Sequence, residues 1–254
     1  MGDYVTFQVP ADLSQERPVI YERLPRRSVL TRADRYHPCK EIAANLTQVL
    51  VVLAYLPKTN EFYLDQYLAA AELAGLPASI GFNKIDLMPE PKALPEFLSY
   101  YQGLGYQVLP FSVQLQKHLE PLLALLKQEA TLLLGTSGVG KSSLLNLLMD
   151  NPQAARVAAI STANQKGQHT TSTCTLYHLP FGGELFDAPG IRDLQLPEAQ
   201  KPHLIQGFRE FKPYLGQCQF RNCQHGNDNG CALQEALQRG DISPSRFKNY
   251  LRMV

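Results

Sequence analysis

Gly135-Thr136-Ser137-Gly138-Val139-Gly140-Lys141-Ser142 fits G-x-x-x-x-G-K-[ST] at every fixed position. An apolar run, Thr131 to Leu134, precedes it, and leucines at helical spacing (Leu144, Leu145, Leu147, Leu148) follow. A strand running through such a loop into a helix is the context the motif requires. Its glycines let the backbone curl with the N–H groups turned inward, an anion nest at a helix N-terminus. Lys141 then reaches the outer phosphates of a nucleotide and the Ser142 hydroxyl takes a place on Mg²⁺. The expected phosphate contacts are Gly135, Thr136, Ser137, Gly138, Val139, Gly140, Lys141, Ser142 and Ser143.

Upstream of this loop the pattern alternates strands and helices. Val49 to Tyr55 is continuously apolar, fit for a strand covered on both faces. A helix is expected over Phe62 to Ala74, a strand over Ala78 to Phe82, and a helix over Leu94 to Leu104. A strand from Gln107 to Phe111 and a helix from Leu115 to Leu126 complete the series, which describes a parallel α/β sheet.

Asn83-Lys84-Ile85-Asp86 falls at the carboxyl end of a strand, where such sheets bind ligands. A carboxylate there accepts both donors on guanine's Watson–Crick edge, whereas adenine would present a lone pair to Asp86. Asn83 either serves the O6/N7 side of the base or braces the loop, and the Lys84 stem lies across the ring plane. Ser112 and Val113, at the end of the next strand, are the natural second contact. In ordinary GTP-binding domains the phosphate loop comes first and the guanine reader later. Here the order is reversed, which implies a circular permutation.

Downstream, Gly167-Gln168-His169-Thr170-Thr171-Ser172-Thr173 has loop composition, rich in hydroxyls. Thr170 or Thr171 is the candidate to complete Mg²⁺ coordination when a γ-phosphate is present. Strands over Thr175 to Leu179 and Glu184 to Phe186 lead to Asp187-Ala188-Pro189-Gly190, an Asp-x-x-Gly suited to water-bridged Mg²⁺ and a γ-phosphate. Ile191 stands where familiar GTPases hold a water-orienting glutamine. His169 is the nearest candidate to take over as orienter or base.

The tail carries Cys218-x4-Cys223-x-His225-x5-Cys231, four ligands of types suited to a closed, structural Zn²⁺ site. Five cysteines, three of them crowded into this tail, argue against a disulfide framework and for a reducing compartment, the cytoplasm. No apolar run is long enough for a membrane span, and the first residues lack the basic and apolar regions of a signal peptide.

The net charge of +1 conceals an uneven distribution. Residues 21–40 carry six basic and two acidic side chains, and residues 201–254 carry eight and four. Residues 41–200 between them are mildly acidic, a pattern suited to a polyanion gripped from two sides. Arg246-Phe247-Lys248-Asn249-Tyr250 fits either RNA contact or helix packing. At the other end, Asp3 to Val9, Pro18 to Arg23 and Ser28 to Leu30 read as short strands, too little chain for a closed barrel of their own.

In this order, the motifs at 83–86, 135–143, 167–171, 187–190 and 218–231 resemble the RsgA (YjeQ) family, circularly permuted GTPases of bacterial small-subunit assembly. The connector Arg26 to Arg32 is similar to the family's as well. The resemblance implies a partial N-terminal OB-like β segment with a basic connector (1–40), a circularly permuted P-loop GTPase domain (41–200) and a C-terminal zinc-binding domain (201–254). It implies GTP/GDP with Mg²⁺, one structural Zn²⁺, binding of the 30S ribosomal subunit and 16S rRNA, and subunit-stimulated GTP hydrolysis in late maturation. It also places the family's catalytic histidine on His169, in a protein expected to be monomeric and free of membranes. Ala188 stands where the family more often has a hydroxyl. The competing reading is a zinc-containing ribosome- or RNA-binding module in which guanine nucleotide is a structural or switch ligand.

Overall fold

The computed structural model describes residues 1–9, 17–34, 39–89, 94–149, 174–188, 194–226 and 228–254. Four strands open the chain. β1 (Val5–Gln8) pairs antiparallel with β2 (Val19–Arg23), and β3 (Val29–Arg32) pairs antiparallel with β4 (Lys40–Ala44). The β1–β2 ribbon buries none of its own residues, whereas Leu30 of β3 and Ile42 and Ala43 of β4 enter the core. Lys40-Glu41-Ile42-Ala43-Ala44 has helix-forming composition, so no strand was legible there. Pairing with β3 and burial override the local propensity.

Among the described residues the central sheet has six strands in the order β7-β6-β5-β8-β10-β9. These are β5 (Gln48–Ala54), β6 (Ala78–Asn83), β7 (Gln107–Pro110), β8 (Ala130–Leu134), β9 (Thr175–His178) and β10 (Glu184–Asp187). All neighbours run parallel except β9, which runs antiparallel to β10. Every residue of β5 is buried, and its alternation divides the core in two. Val49, Val51 and Leu53 face a layer that includes Leu64 and Leu68 of α1 (Glu61–Leu73) and Leu98 of α2 (Glu96–Gly103). Leu50, Val52 and Ala54 face Leu122 and Leu126 of α3 (Glu120–Leu126) and Leu144 and Leu148 of α4 (Lys141–Met149). Period-two side chains on a strand covered from both sides give the unbroken apolar run seen in the sequence.

Along the chain the sheet grows outward from β5 to β7, then returns to the other side of β5 with β8. Order therefore reverses between β5 and β8, and the carboxyl ends of those two strands form the crevice where doubly wound sheets take ligands. Local signals set the helix ends. The Asn60 side chain caps α1 by accepting from Phe62 N at 3.0 Å. The helix expected from Leu115 begins only at Glu120, because Gln116 and His118 adopt φ of 51° and 56° and turn the chain first.

The C-terminal part holds two 3₁₀ stretches, Glu198–Gly207 and Arg209–Tyr214, then α5 (Ala232–Arg239), closed by Gly240 at φ 82°, and α6 (Pro244–Met253). It packs on α1 around a buried polar cluster. Arg246, 1% exposed, donates to both Glu210 oxygens at 2.6 and 2.9 Å and to Asp65 Oδ1 at 2.6 Å. Asp65 also accepts from the Tyr101 hydroxyl at 2.5 Å and Asn249 Nδ2 at 2.7 Å. Burial pushes the Asp65 carboxyl up, while Arg246 and these two donors oppose it. Phe247 and Tyr250 are buried beside stacked Phe208 and Phe211, whose ring centroids lie 4.9 Å apart. For Arg246, Phe247 and Tyr250, the choice between RNA contact and helix packing thus falls to packing.

Candidate guanine-nucleotide site and metal centre

The phosphate loop leaves β8 and passes across the end of β5. Gly135 has φ 144°, and a Cβ there would run into the Val52 carbonyl oxygen, so only glycine brings the loop this close. Val139, 2% exposed, pins the loop to the core, and Leu144, Leu145 and Leu148 of α4 bury behind it. Ser142 and Ser143 stay exposed at the start of α4. Lys141 Nζ donates to the Gly135 and Thr136 carbonyls at 2.6 and 2.9 Å, which holds its ammonium within the loop. Asp187 ends β10 on the neighbouring strand, half-buried. Burial pushes its carboxyl up, and the Lys141 charge opposes the rise.

The guanine-reading segment meets this loop directly. Asn83, 2% exposed, donates through Nδ2 to the Val139 carbonyl at 2.9 Å, across 56 positions of sequence. Its Oδ1 accepts from Lys84 N at 2.8 Å and Val113 N at 3.2 Å. Asn83 therefore braces the loop, one of the two roles expected of it. Lys84, in the left-handed region at φ 61°, sends Nζ to the Gly138 carbonyl at 2.7 Å and the Leu56 carbonyl at 2.8 Å. The sequence marks the Leu56 carbonyl only by the proline that directly follows an apolar strand, Pro57. Half-exposed Asp86 accepts from the buried Ser112 hydroxyl through Oδ1, and Ser112 Oγ accepts from Leu115 N at 3.1 Å. The structure thus brings Asn83, Lys84, Asp86, Ser112, Val113, Lys141, Ser142 and Asp187 to the carboxyl edge of one sheet. His169, Thr170, Thr171 and Gly190 lie outside the described residues.

The second constellation is Cys218, Cys223, His225 and Cys231, whose ligand atoms lie within 4.8 Å of one another. His225 Nδ1 is 3.5 Å from the Cys218 sulfur and 3.6 Å from those of Cys223 and Cys231. A tetrahedral Zn²⁺ with its usual bond lengths separates sulfur from nitrogen by about 3.6 Å. The donor set and its spacing thus fit one tetrahedral metal, with no position left for substrate. Cys231 caps α5, and His225 turns into the cluster at φ 62°.

A mixed sheet with this strand order, a phosphate loop at its centre and the guanine-reading segment earlier in the chain define a circularly permuted P-loop GTPase. Comparison with known proteins agrees. The sequence model of the RsgA GTPase family matches residues 23–197. The "Small ribosomal subunit biogenesis GTPase RsgA" of Chromohalobacter salexigens is 45% identical over 254 residues, covering 100% of this chain and 74% of that protein. Its namesake from Haemophilus influenzae (strain PittEE) is 39% identical over 257 residues, with the same coverage of 100% and 74%. The crystal structure of YjeQ from Thermotoga maritima superposes with TM-score 0.72 at 30% identity, over 99% of this chain and 82% of that one. YloQ, titled a circularly permuted GTPase, shares the fold at TM-score 0.72 and 24% identity, over 99% and 78% of the two chains. The chain belongs to the RsgA GTPase family.

Proposed function

We propose that this GTPase acts in the biogenesis of the small ribosomal subunit, binding the 30S particle through 16S rRNA and hydrolysing GTP faster on it. The reading draws on the relatives, named for small-subunit biogenesis. The observation that carries the nucleotide assignment is the pair of bonds from Asn83 and Lys84 to the carbonyls of Val139 and Gly138. They hold the base-reading segment against the phosphate loop, so one nucleotide spans both.

In this reading Asp86 reads the guanine edge, steadied by Ser112, and Val113 lines the base. The loop from Gly135 to Ser143 takes the phosphates, with Lys141 neutralising their charge. Ser142 and Thr170 or Thr171 hold Mg²⁺, with Asp187 behind them, and Gly190 meets the γ-phosphate. When bound, the ion supplies Lewis-acid stabilisation of phosphoryl charge. His169 orients the attacking water. The Cys3His cluster holds one structural Zn²⁺, because thiolates and a neutral imidazole in tetrahedral array suit that ion. The N-terminal segment (1–40), the GTPase domain (41–200) and the zinc domain (201–254) form the working units of a cytoplasmic monomer. No described helix is long and apolar enough to cross a membrane.

Exposed Arg23 and Arg27 offer phosphate contacts on the N-terminal side, whereas several C-terminal cations are committed to internal pairs: Arg209 and Lys212 to Glu72, Arg239 to Asp241 and Arg246 to Asp65 and Glu210. The test is the GTP hydrolysis rate with and without purified 30S subunits across a salt series. Stimulation that fades with salt is expected; an equal rate with and without subunits contradicts the proposal.

A further inference from the structure

The turn after β5 is tied to the guanine-reading segment. Tyr55 N donates to the Asn83 carbonyl at 3.1 Å, and the Leu56 carbonyl takes Lys84 Nζ at 2.8 Å. The same ammonium reaches the Gly138 carbonyl at 2.7 Å, and the Pro57 ring packs beside Gly138, where an added Cβ would meet it at 3.6 Å. The far end of the turn is fixed to α1. The Asn60 side chain accepts from Phe62 N at 3.0 Å and its carbonyl from Tyr63 N at 3.1 Å. The Pro57 ring locks its own φ, so slack between the two anchors is confined to Lys58 and Thr59. A shift in the first turn of α1 therefore reaches the Leu56 carbonyl with little loss.

That first turn is gripped from outside by α6. The Arg252 guanidinium lies 3.9 Å over the Phe62 ring centroid, and deeper in the same face Arg246 and Asn249 hold Asp65 at 2.6 and 2.7 Å. The Asp65 cluster is buried and docks the two parts of the molecule, whereas Arg252 is exposed and sits on the turn nearest Leu56. We propose that Arg252 is a positioning residue for guanine-nucleotide binding. Stacked on Phe62, it steadies the start of α1, and with it the Leu56 carbonyl that keeps Lys84 in place against the base. It touches no part of the nucleotide. Anything that lifts the last turn of α6 from Phe62 would then speed nucleotide release. The proposal rests on the nucleotide site assigned above.

The test follows release of fluorescent GDP from the full chain. A cation over an aromatic ring at an exposed site limits the effect to about fivefold, so Arg252→Met should release GDP up to about fivefold faster. Arg252→Lys, which keeps a cation for the ring, should fall between the two. Lys84→Met should speed release by itself, and adding Arg252→Met to it should change nothing more, because the route from Arg252 runs through Lys84. Arg239→Met, a C-terminal cation paired instead with Asp241, should release GDP at the parental rate. Unchanged release from a folded Arg252→Met chain overturns this proposal alone. So does an acceleration that persists in full on the Lys84→Met background or appears equally in Arg239→Met. A parental chain that does not hold GDP would refute the nucleotide site, and this proposal with it.

Discussion

Asp86, the proposed guanine reader, is held by its neighbours. The Ser112 hydroxyl fixes one of its oxygens, and Asn83 ties the same segment to the phosphate loop. An ionised carboxylate accepts only, so it suits a base edge with two donors and opposes one with a lone pair. Asp86→Asn should weaken GTP by about a hundredfold and strengthen xanthosine triphosphate correspondingly, because the amide donates where xanthine offers a carbonyl. Competitive binding with the two nucleotides checks this, and an unchanged preference for GTP would remove Asp86 from the base contact. Gly140 shows the same coupling from the loop side. At φ 99° a Cβ would run into Asn83 Nδ2, so the glycine that shapes the phosphate nest also makes room for the brace.

Among the elements, legibility followed periodicity. The β5 run, the α1 pattern and the strand–loop–helix around Lys141 announced themselves, because burial on both faces or along one stripe leaves a regular trace. β4 left none, since its residues favour helix when taken alone. The 3₁₀ stretches after Glu198 carry prolines inside them, at Pro202 and Pro213, and show no helical period to read. The nucleotide site was legible because its residue types are set by chemistry, but the Leu56 carbonyl was not, because any residue supplies one. The metal loop was legible for the chemical reason too. Its backbone from Cys218 to Cys231 has few buried side chains of its own, so the ion should hold it together. Removing the metal with a chelator should speed amide exchange across 218–231 while bound GDP stays in place. Unchanged protection there would show that the loop folds without metal.

At the level of the whole molecule, α1 is the seam between the nucleotide-binding sheet and the C-terminal part. Asp65 and Glu72 on this helix receive Arg246, Arg209 and Lys212 from beyond the sheet, and Arg209 also lies 3.8 Å over the Tyr106 ring centroid. Arg246 is buried among Asp65 and Glu210, so removing one member of the cluster would strand the others, at a cost of about 3–5 kcal/mol. Burial of Glu72 disfavours its ionised form, but bonds from Lys212 and Arg209 outweigh it and hold the carboxyl below its ordinary 4.5. A depressed carboxyl stabilises the fold above that ordinary value, and the contribution is lost as pH falls through the depressed one. Denaturant unfolding of the chain and of Glu72→Gln should therefore differ most near neutral pH and converge in acid. A constant gap across the range would assign Glu72 a packing role and not an electrostatic one.

The proposed nucleotide site belongs to this scale as well, because the residues assigned to it end or follow β6, β7, β8 and β10, strands that the sheet orders differently from the chain. Displacement of fluorescent GDP by unlabelled GTP and by ATP tests that assembly most directly. GTP should displace it at stoichiometric to low excess and ATP should fail even in large excess. ATP competing as well as GTP would mean that Asp86 does not read the base of the nucleotide that Lys141 holds.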